Sequence, residues 1–418
     1  MSQSNKQKSS VEAVAQRCQR EILEELSTTL FACTRLTPLP AGTTNFVFRG
    51  TLEQPFSLAV KDPWPPHDIQ MVSTVIIKHL ESFARLNPAL HIDGQRARND
   101  GLTCTGQPFE SFMLGTLEDF DWRSEQSSSF APSNDPNQRF QAPRLLHTNQ
   151  SKNTFVIEDF GSETVDLKEQ LLGTNTSDPV IARKLGKDLG GWLRAFHQWT
   201  TKPAQYRLVE RMREYEEMSK FKRLITYHNI SKWCESSGLL DDNTRAIFLE
   251  VDNLVAKESS DTHSRQMTDE WGPVHADFWT GNILCPPSPD PVGNPGFAVV
   301  DWEFAQLAPR AYDLGQMVGD LIELYQKTDL EIFLHTLDSF VEGYGAISKE
   351  MAFRVLIHAG AHLIGWFVRG SGEVRKDGDV RRIVKLGRDM ICYGIRKDDR
   401  WFRDNHLGAI FDQKSPSH

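Results

Sequence analysis

The sequence predicts an α+β protein in two lobes, and three observations predict it. Short apolar runs with strand character crowd the first 160 residues: Phe46-Val47-Phe48, Leu58 to Lys61, and the pair APRLLHT and FVIEDFG from Ala142 and Phe155. From Asp178 the apolar residues instead recur at helical spacing, at 181, 185, 189, 193 and 196. A small strand insert, Phe297 to Val300, then interrupts the helices. Strands with one helix, followed by mostly helices around a strand insert, give a β-rich lobe, a helical lobe and a cleft between them.

In order along the chain, residues 1–10 are polar and predicted to be disordered. Val14, Cys18, Ile22 and Leu26 predict an amphipathic helix over 11–30. Gly42 marks a turn in PLPAGTTNFVFRG, ahead of the Phe46 and Leu58 strands. Ile69, Val72, Ile76, Leu80 and Phe83 predict a helix over 68–86. Residues 87–140 form an insertion with a serine run and four prolines, and 123–138 are expected to be mobile. PFESFMLGTL, 108–117, is the stretch of that insertion with ordered character. The strand pair that follows ends in a connection, Glu158 to Gly161, whose backbone groups suit an adenine edge. Asp178-Pro179 starts the first long helix. Further helices are predicted at 206–233, 241–256, 311–327, 329–345, 349–369 and 375–393. The domain reading is an extension 1–35, a first lobe 36–161 with the insertion, a helical lobe 162–404 and a tail 405–418.

Composition removes several function classes. The 418 residues carry a net charge of −9, so no basic excess exists to neutralise nucleic-acid phosphates. The six cysteines, at 18, 33, 104, 234, 285 and 392, form no C-x-x-C pair, which suggests neither a zinc site nor a disulfide framework. The N-terminus lacks an apolar signal core, and the most apolar helix candidate, 355–368, is too short for a bilayer. The expectation is a cytoplasmic protein with no membrane and no nucleic-acid partner.

The chemistry concentrates between Val274 and Glu303. VHADFWTGNIL places His275, Asp277 and Asn282 in an H-x-D-x-x-x-x-N set, and FAVVDWEFA places Asp301 at the end of a buried strand. A carboxylate and a carboxamide five residues apart, with a second carboxylate closing a strand, suit phosphoryl transfer. Upstream, a Gly turn followed by a strand Lys can cover and grip nucleotide phosphates; Gly42 and Lys61 are the candidates, with Glu81 the carboxylate to hold the ammonium. His358 and His362 sit four apart on a helix, but no Glu follows the first, so H-E-x-x-H fails.

GTTNFVF, LAVK, FVIEDFG, HADFWTGNIL, VVDWEFA and AYDLG together resemble the aminoglycoside phosphotransferase and choline kinase superfamily. The resemblance implies a bilobal protein-kinase-like fold with ATP and Mg²⁺ as cofactors. It implies Asp277 as catalytic base, Asn282 and Asp301 as Mg²⁺ ligands, and Gly42, Asn45, Lys61, Glu81, Glu158 and Phe160 around the nucleotide. His275 and Asp313 are implied as braces of the catalytic loop. Ala276 stands where many relatives carry Gly and protein kinases carry Arg, and neither D-F-G nor A-P-E occurs. Those departures point to a small-molecule kinase acting on a hydroxylated metabolite. The alternatives are a metal-dependent hydrolase using His275, Asp277, Asp301 and Glu303, and a catalytically inactive nucleotide-binding pseudokinase.

Overall fold

The computed structural model describes residues 3–39, 45–59, 69–81, 83–85, 87–91, 109–122, 140–173, 179–260, 265–285, 297–369 and 377–413. Gly42, Lys61 and the 123–138 stretch lie outside them. Backbone contacts divide the chain into two units. The first comprises Met1–Asp119 with Gln141–Thr164, and the second Phe120–Phe140 with Val165–His418.

The first unit is an antiparallel five-stranded sheet with helix α1 (Gln3–Leu26) against it. Helix α1 begins inside the stretch expected to be disordered. Its Cys18, Ile22 and Leu26 are fully buried, as their spacing requires. The strands are β1 (Cys33–Pro38), β2 (Phe46–Ala59), β3 (Ile69–His79), β4 (Leu145–Asn149) and β5 (Thr154–Glu158), in the order β1-β2-β3-β5-β4. The Phe46 and Leu58 runs are two parts of one long strand, with an irregularity between Thr51 and Phe56. Helix α2 (Phe109–Leu117), from the insertion, packs on the β4 side.

The helix expected over 68–86 is instead β3, the central strand. Val72, Val75 and Ile77 are buried along it, and Phe46↔His79 through Ala59↔Ile69 pair it with β2. The physical reason is the β-branched run Val-Ser-Thr-Val-Ile-Ile. Such side chains lose rotamers in a helix and pack well on a pleated surface. The helical stripe was a coincidence of spacing.

The second unit is mostly helical. Its helices of seven or more residues are, among the described residues, α3 (Pro179–Trp199), α4 (Tyr206–Arg213), α5 (Glu216–Arg223), α6 (Ile230–Ser236), α7 (Asp242–Ser260), α8 (Ala311–Thr328), α9 (Ile332–Tyr344), α10 (Lys349–Arg369) and α11 (Asp377–Ile395). The single helix expected over 206–233 is broken, and a π-helical turn, Leu224–His228, joins α5 towards α6. Between α7 and α8 lie two antiparallel strand pairs that carry the candidate site. Strand β6 (Trp271–Val274) pairs with β9 (Gln306–Pro309), and β7 (Ile283–Cys285) with β8 (Phe297–Val299). Helix α8 crosses α10 closely at Gly315, where a Cβ would lie 2.6 Å from the Val355 carbonyl oxygen. Among the described residues no helix is long and apolar enough to cross a membrane.

Candidate active site

Strand β6 ends at Val274, and the next two backbone N–H groups turn onto one buried carboxylate. His275 N–H donates to Asp313 Oδ2 (2.9 Å) and Ala276 N–H to Asp313 Oδ1 (2.7 Å). This clamp holds Ala276 at φ 61°, a left-handed conformation that L-residues adopt at a cost. It turns the chain so that Asp277 leaves the strand direction. Burial pushes the Asp313 carboxyl up to about 6, against the opposing pull of His275 and of both N–H bonds. His197 on α3 lies 3.0 Å from the same carboxylate through Nε2 and 2.9 Å from the Tyr344 hydroxyl through Nδ1. Burial holds His197 well below the usual imidazole range, so the neutral ring donates from Nε2 and accepts from the tyrosine at Nδ1.

His275 is committed at both nitrogens. The Asp277 N–H donates to Nδ1 (3.2 Å), and Nε2 donates to the Val300 carbonyl (2.9 Å). Burial lowers its pKa, which suits a neutral brace tying the Asp277 loop to the Asp301 turn. The Asp277 carboxylate is then held from three sides. Asn282 Nδ2 donates to its Oδ2 and to its backbone carbonyl (both 2.9 Å). Gln316 Nε2 on α8 donates to Oδ1 (2.7 Å). Lys222 Nζ on α5 is 3.5 Å from Oδ1 and 3.0 Å from Gln316 Oε1.

Asn282 and Asp301 meet through the strand ladder. Ile283 pairs with Val299, and the Val300 N–H donates to the Asn282 carbonyl (3.0 Å). Asp301 itself sits at φ 61° before the turn Trp302–Phe304. With the Asn282 amide nitrogen turned to Asp277, its side-chain oxygen faces away. That oxygen and the Asp301 carboxylate are hard donors of the kind Mg²⁺ takes, so these residues fit the ion. The loop between Asp277 and Asn282 is secured by Thr280, whose N–H (3.1 Å) and hydroxyl both bond Asp320 Oδ2. Burial and the nearby Glu323 push the Asp320 carboxyl up to about 7.

Of the residues expected around a nucleotide, Asn45, Glu81, Glu158 and Phe160 are described, all in the first unit. Asn45 is buried just before β2. Glu158 is buried at the end of β5 and ion-paired with Arg144 (3.2 Å). Phe160 is half-buried and its carbonyl accepts from Thr164 Oγ1 (2.7 Å). Glu81 is not on a helix. It follows β3 and is ion-paired with Arg17 of α1.

The buried ion pair of the first unit is a different one. Lys78 on β3 and Glu110 on α2 meet at 2.6 Å, with relative exposures of 4% and 3%. Sequence reasoning missed it because VIIK was placed on a helix. The signal was present, since VIIK repeats the apolar-run-then-Lys pattern of LAVK. Lys222 and Gln316 were also missed, and α5 carries no local motif that would have marked Lys222.

The neutral histidine brace and the carboxylate held by two amides and a lysine thus stand beside the Asp301 turn, on one α+β scaffold. The chain belongs to the phosphotransferase enzyme family, whose profile matches residues 136–348. It is similar to the phosphotransferase FrzJ of Cladobotryum sp, at 24% identity over 346 residues, 82% of this chain and 83% of that protein. It is also similar to the 4-hydroxytryptamine kinase of Psilocybe cyanescens, at 23% identity over 234 residues, 54% of this chain and 60% of that one. Among solved structures, the amicoumacin kinase hAmiN in complex with AMP-PNP, Ca²⁺ and Ami matches 91% of this chain and 95% of its own. That match has 12% identity and a TM-score of 0.47.

Proposed function

We propose that the protein transfers the γ-phosphoryl group of Mg·ATP to a hydroxyl of a small metabolite. The observation that carries this reading is the Asp277 carboxylate, oriented by Asn282 and Gln316 and tied through His275 to the Asp301 turn. In this reading Asp277 accepts the proton of the acceptor hydroxyl as its oxygen attacks phosphorus. Lys222 and Gln316 keep that carboxylate in one orientation. Asn282 and Asp301 would hold Mg²⁺, which supplies charge neutralisation on the phosphates when bound. Within the first unit, the proposed cation for nucleotide phosphates is Lys78, braced by Glu110. Lys61 lies outside the described residues, and Glu81, expected to hold it, is ion-paired with Arg17. The name of one relative, a 4-hydroxytryptamine kinase, supports a small hydroxylated acceptor. A metal-dependent hydrolase is disfavoured, because both His275 nitrogens are already occupied and leave none for a metal.

The test is ATP consumption over a panel of sugars, amino alcohols, thio-sugars and hydroxyindoles, with Mg·ATP binding measured in parallel. Asp277→Asn should lose turnover by about 10²–10⁴-fold and keep nucleotide affinity. Asp301→Asn should weaken metal-dependent nucleotide binding as well as turnover. Loss of Mg·ATP binding in Asp277→Asn, with Asp301→Asn near wild type, would overturn the division of roles.

A further inference from the structure

Glu81, ion-paired with Arg17, also belongs to a cluster of possible metal donors. Cys18 on α1, His79 at the end of β3 and Glu81 just beyond it bring one sulfur, one nitrogen and one oxygen donor within 4.8 Å of one another. Cys18 Sγ is 3.5 Å from Glu81 Oε1, and His79 Nε2 is 3.7 Å from the same oxygen. Ligands bound tetrahedrally to zinc at about 2.0–2.3 Å stand roughly 3.3–3.7 Å apart, so the two contacts to Glu81 already have the spacing of such a site.

The histidine is also oriented for it. Its Nδ1 lies 3.0 Å from Thr154 Oγ1, and that hydroxyl is 3.2 Å from Glu25 Oε2. With the hydroxyl hydrogen on Glu25, Thr154 accepts the Nδ1–H and leaves the Nε2 lone pair facing Cys18 and Glu81. A neighbour that sets the tautomer and aims the ring in this way is a recurring feature of metal-bound histidine.

We propose that Cys18, His79 and Glu81 form a binding site for a divalent ion of the zinc type, fastening α1 to the end of β3. The ion takes three protein donors and leaves its fourth position to water. Binding exchanges the Cys18 thiol proton for the metal and releases that proton to solvent. Without metal, the Cys18 thiol keeps its proton and donates to Glu81 Oε1. Arg17 then neutralises Glu81. Its guanidinium side chain is 46% exposed and is free to swing into water when a cation replaces it. The site is separate from Asn282 and Asp301, which offer oxygen alone.

The experiment uses the full chain, reduced, stripped with a chelator and desalted, then titrated with Co²⁺ and afterwards with Zn²⁺. A Cys18-bound cobalt gives a thiolate-to-metal charge-transfer band in the near ultraviolet and tetrahedral bands in the visible. Zinc abolishes both. Cobalt held by Asn282 and Asp301 gives no thiolate band. Cys18→Ser should lose the charge-transfer band and weaken binding about tenfold or more, and His79→Gln should weaken it comparably. Cys33→Ser should keep the band, and Arg17→Met should tighten binding by removing the competing cation. A wild-type chain with no thiolate–cobalt band, or a Cys18→Ser chain that keeps it, overturns the proposal. Because the wild-type spectrum alone decides, a variant that fails to fold does not rescue it.

Discussion

Each unit buries a carboxylate at a working position, and the two solve the cost of burial differently. In the first, Glu110 faces one full cation, Lys78, and the partners are 32 residues apart in sequence. In the second, Asp313 faces three neutral donors: two consecutive backbone N–H groups and the ring of His197. An ion pair concentrates its compensation in one contact, so removing one partner leaves a bare buried charge. A carboxylate served by several neutral dipoles loses only part of its support with any one change. The difference also follows from role. Lys78 is proposed to meet phosphate and needs its charge, whereas Asp313 only has to hold a backbone turn.

The largest expected effect comes from breaking the ion pair on one side. Lys78→Met should destabilise the fold by about 3–5 kcal/mol, because Glu110 loses its cation. The double variant Lys78→Met, Glu110→Leu should recover most of that stability while activity stays lost. Urea unfolding and steady-state kinetics on the same samples separate the outcomes. Recovery of turnover along with stability would show that Lys78 is structural only.

A smaller loss is expected at the neutral clamp. Asp313→Asn keeps one acceptor oxygen where two backbone donors are served, so one N–H faces an NH₂ group. The cost should be about 1–3 kcal/mol, with lowered kcat because the Asp277 loop is no longer turned as tightly. A fall in nucleotide affinity with unchanged kcat would contradict the clamp role.

The buried carboxyls also make a pH prediction. Asp313 and Asp320 have folded pKa values raised to about 6 and about 7, above the unfolded value of 3.8. The folded state therefore binds the proton more tightly. Their contribution to stability is fully present below about pH 4 and is lost as pH rises through 6 and 7. Asp320→Asn cannot titrate, so it should remove the upper part of that slope. Urea midpoints measured from pH 4 to pH 8 check this, and an unchanged slope in the variant would count against it.

The same contrast explains which parts of the site the sequence disclosed. His275, Asp277, Asn282 and Asp301 lie within 27 residues, on two tight strand-to-turn junctions, so spacing alone announces them. Lys78 and Glu110 are joined only by the fold, across a strand whose helical stripe misled the reading and an insertion of low periodicity. Lys222 and Gln316 come from α5 and α8 and touch Asp277 only through helix packing. Helical spacing located the long helices well because their apolar faces are continuous, as at Leu185, Leu189 and Phe196 of α3. It failed at 206–233, where the π-helical turn lets the adjacent Thr226 and Tyr227 both face inward.

The smallest expected effect tests the strain that the neutral clamp supports. Ala276 is fully buried at φ 61°, a conformation that costs a residue with a Cβ about 1–2 kcal/mol. Ala276→Gly relieves that cost. It also frees the unfolded backbone, worth about 0.5–1 kcal/mol against folding, and removes a buried methyl worth about 0.8 kcal/mol. The three terms nearly cancel, so stability should stay within about 1 kcal/mol of wild type. Ala276→Val has no such compensation, because a β-branched side chain at positive φ adds strain in a site with no exposure, and it should lose about 2 kcal/mol or more. Paired unfolding curves for the two variants decide the matter. If Gly destabilised as much as Val, the methyl group and not the turn would be what position 276 contributes, and the Asp313 clamp would not be holding a strained backbone.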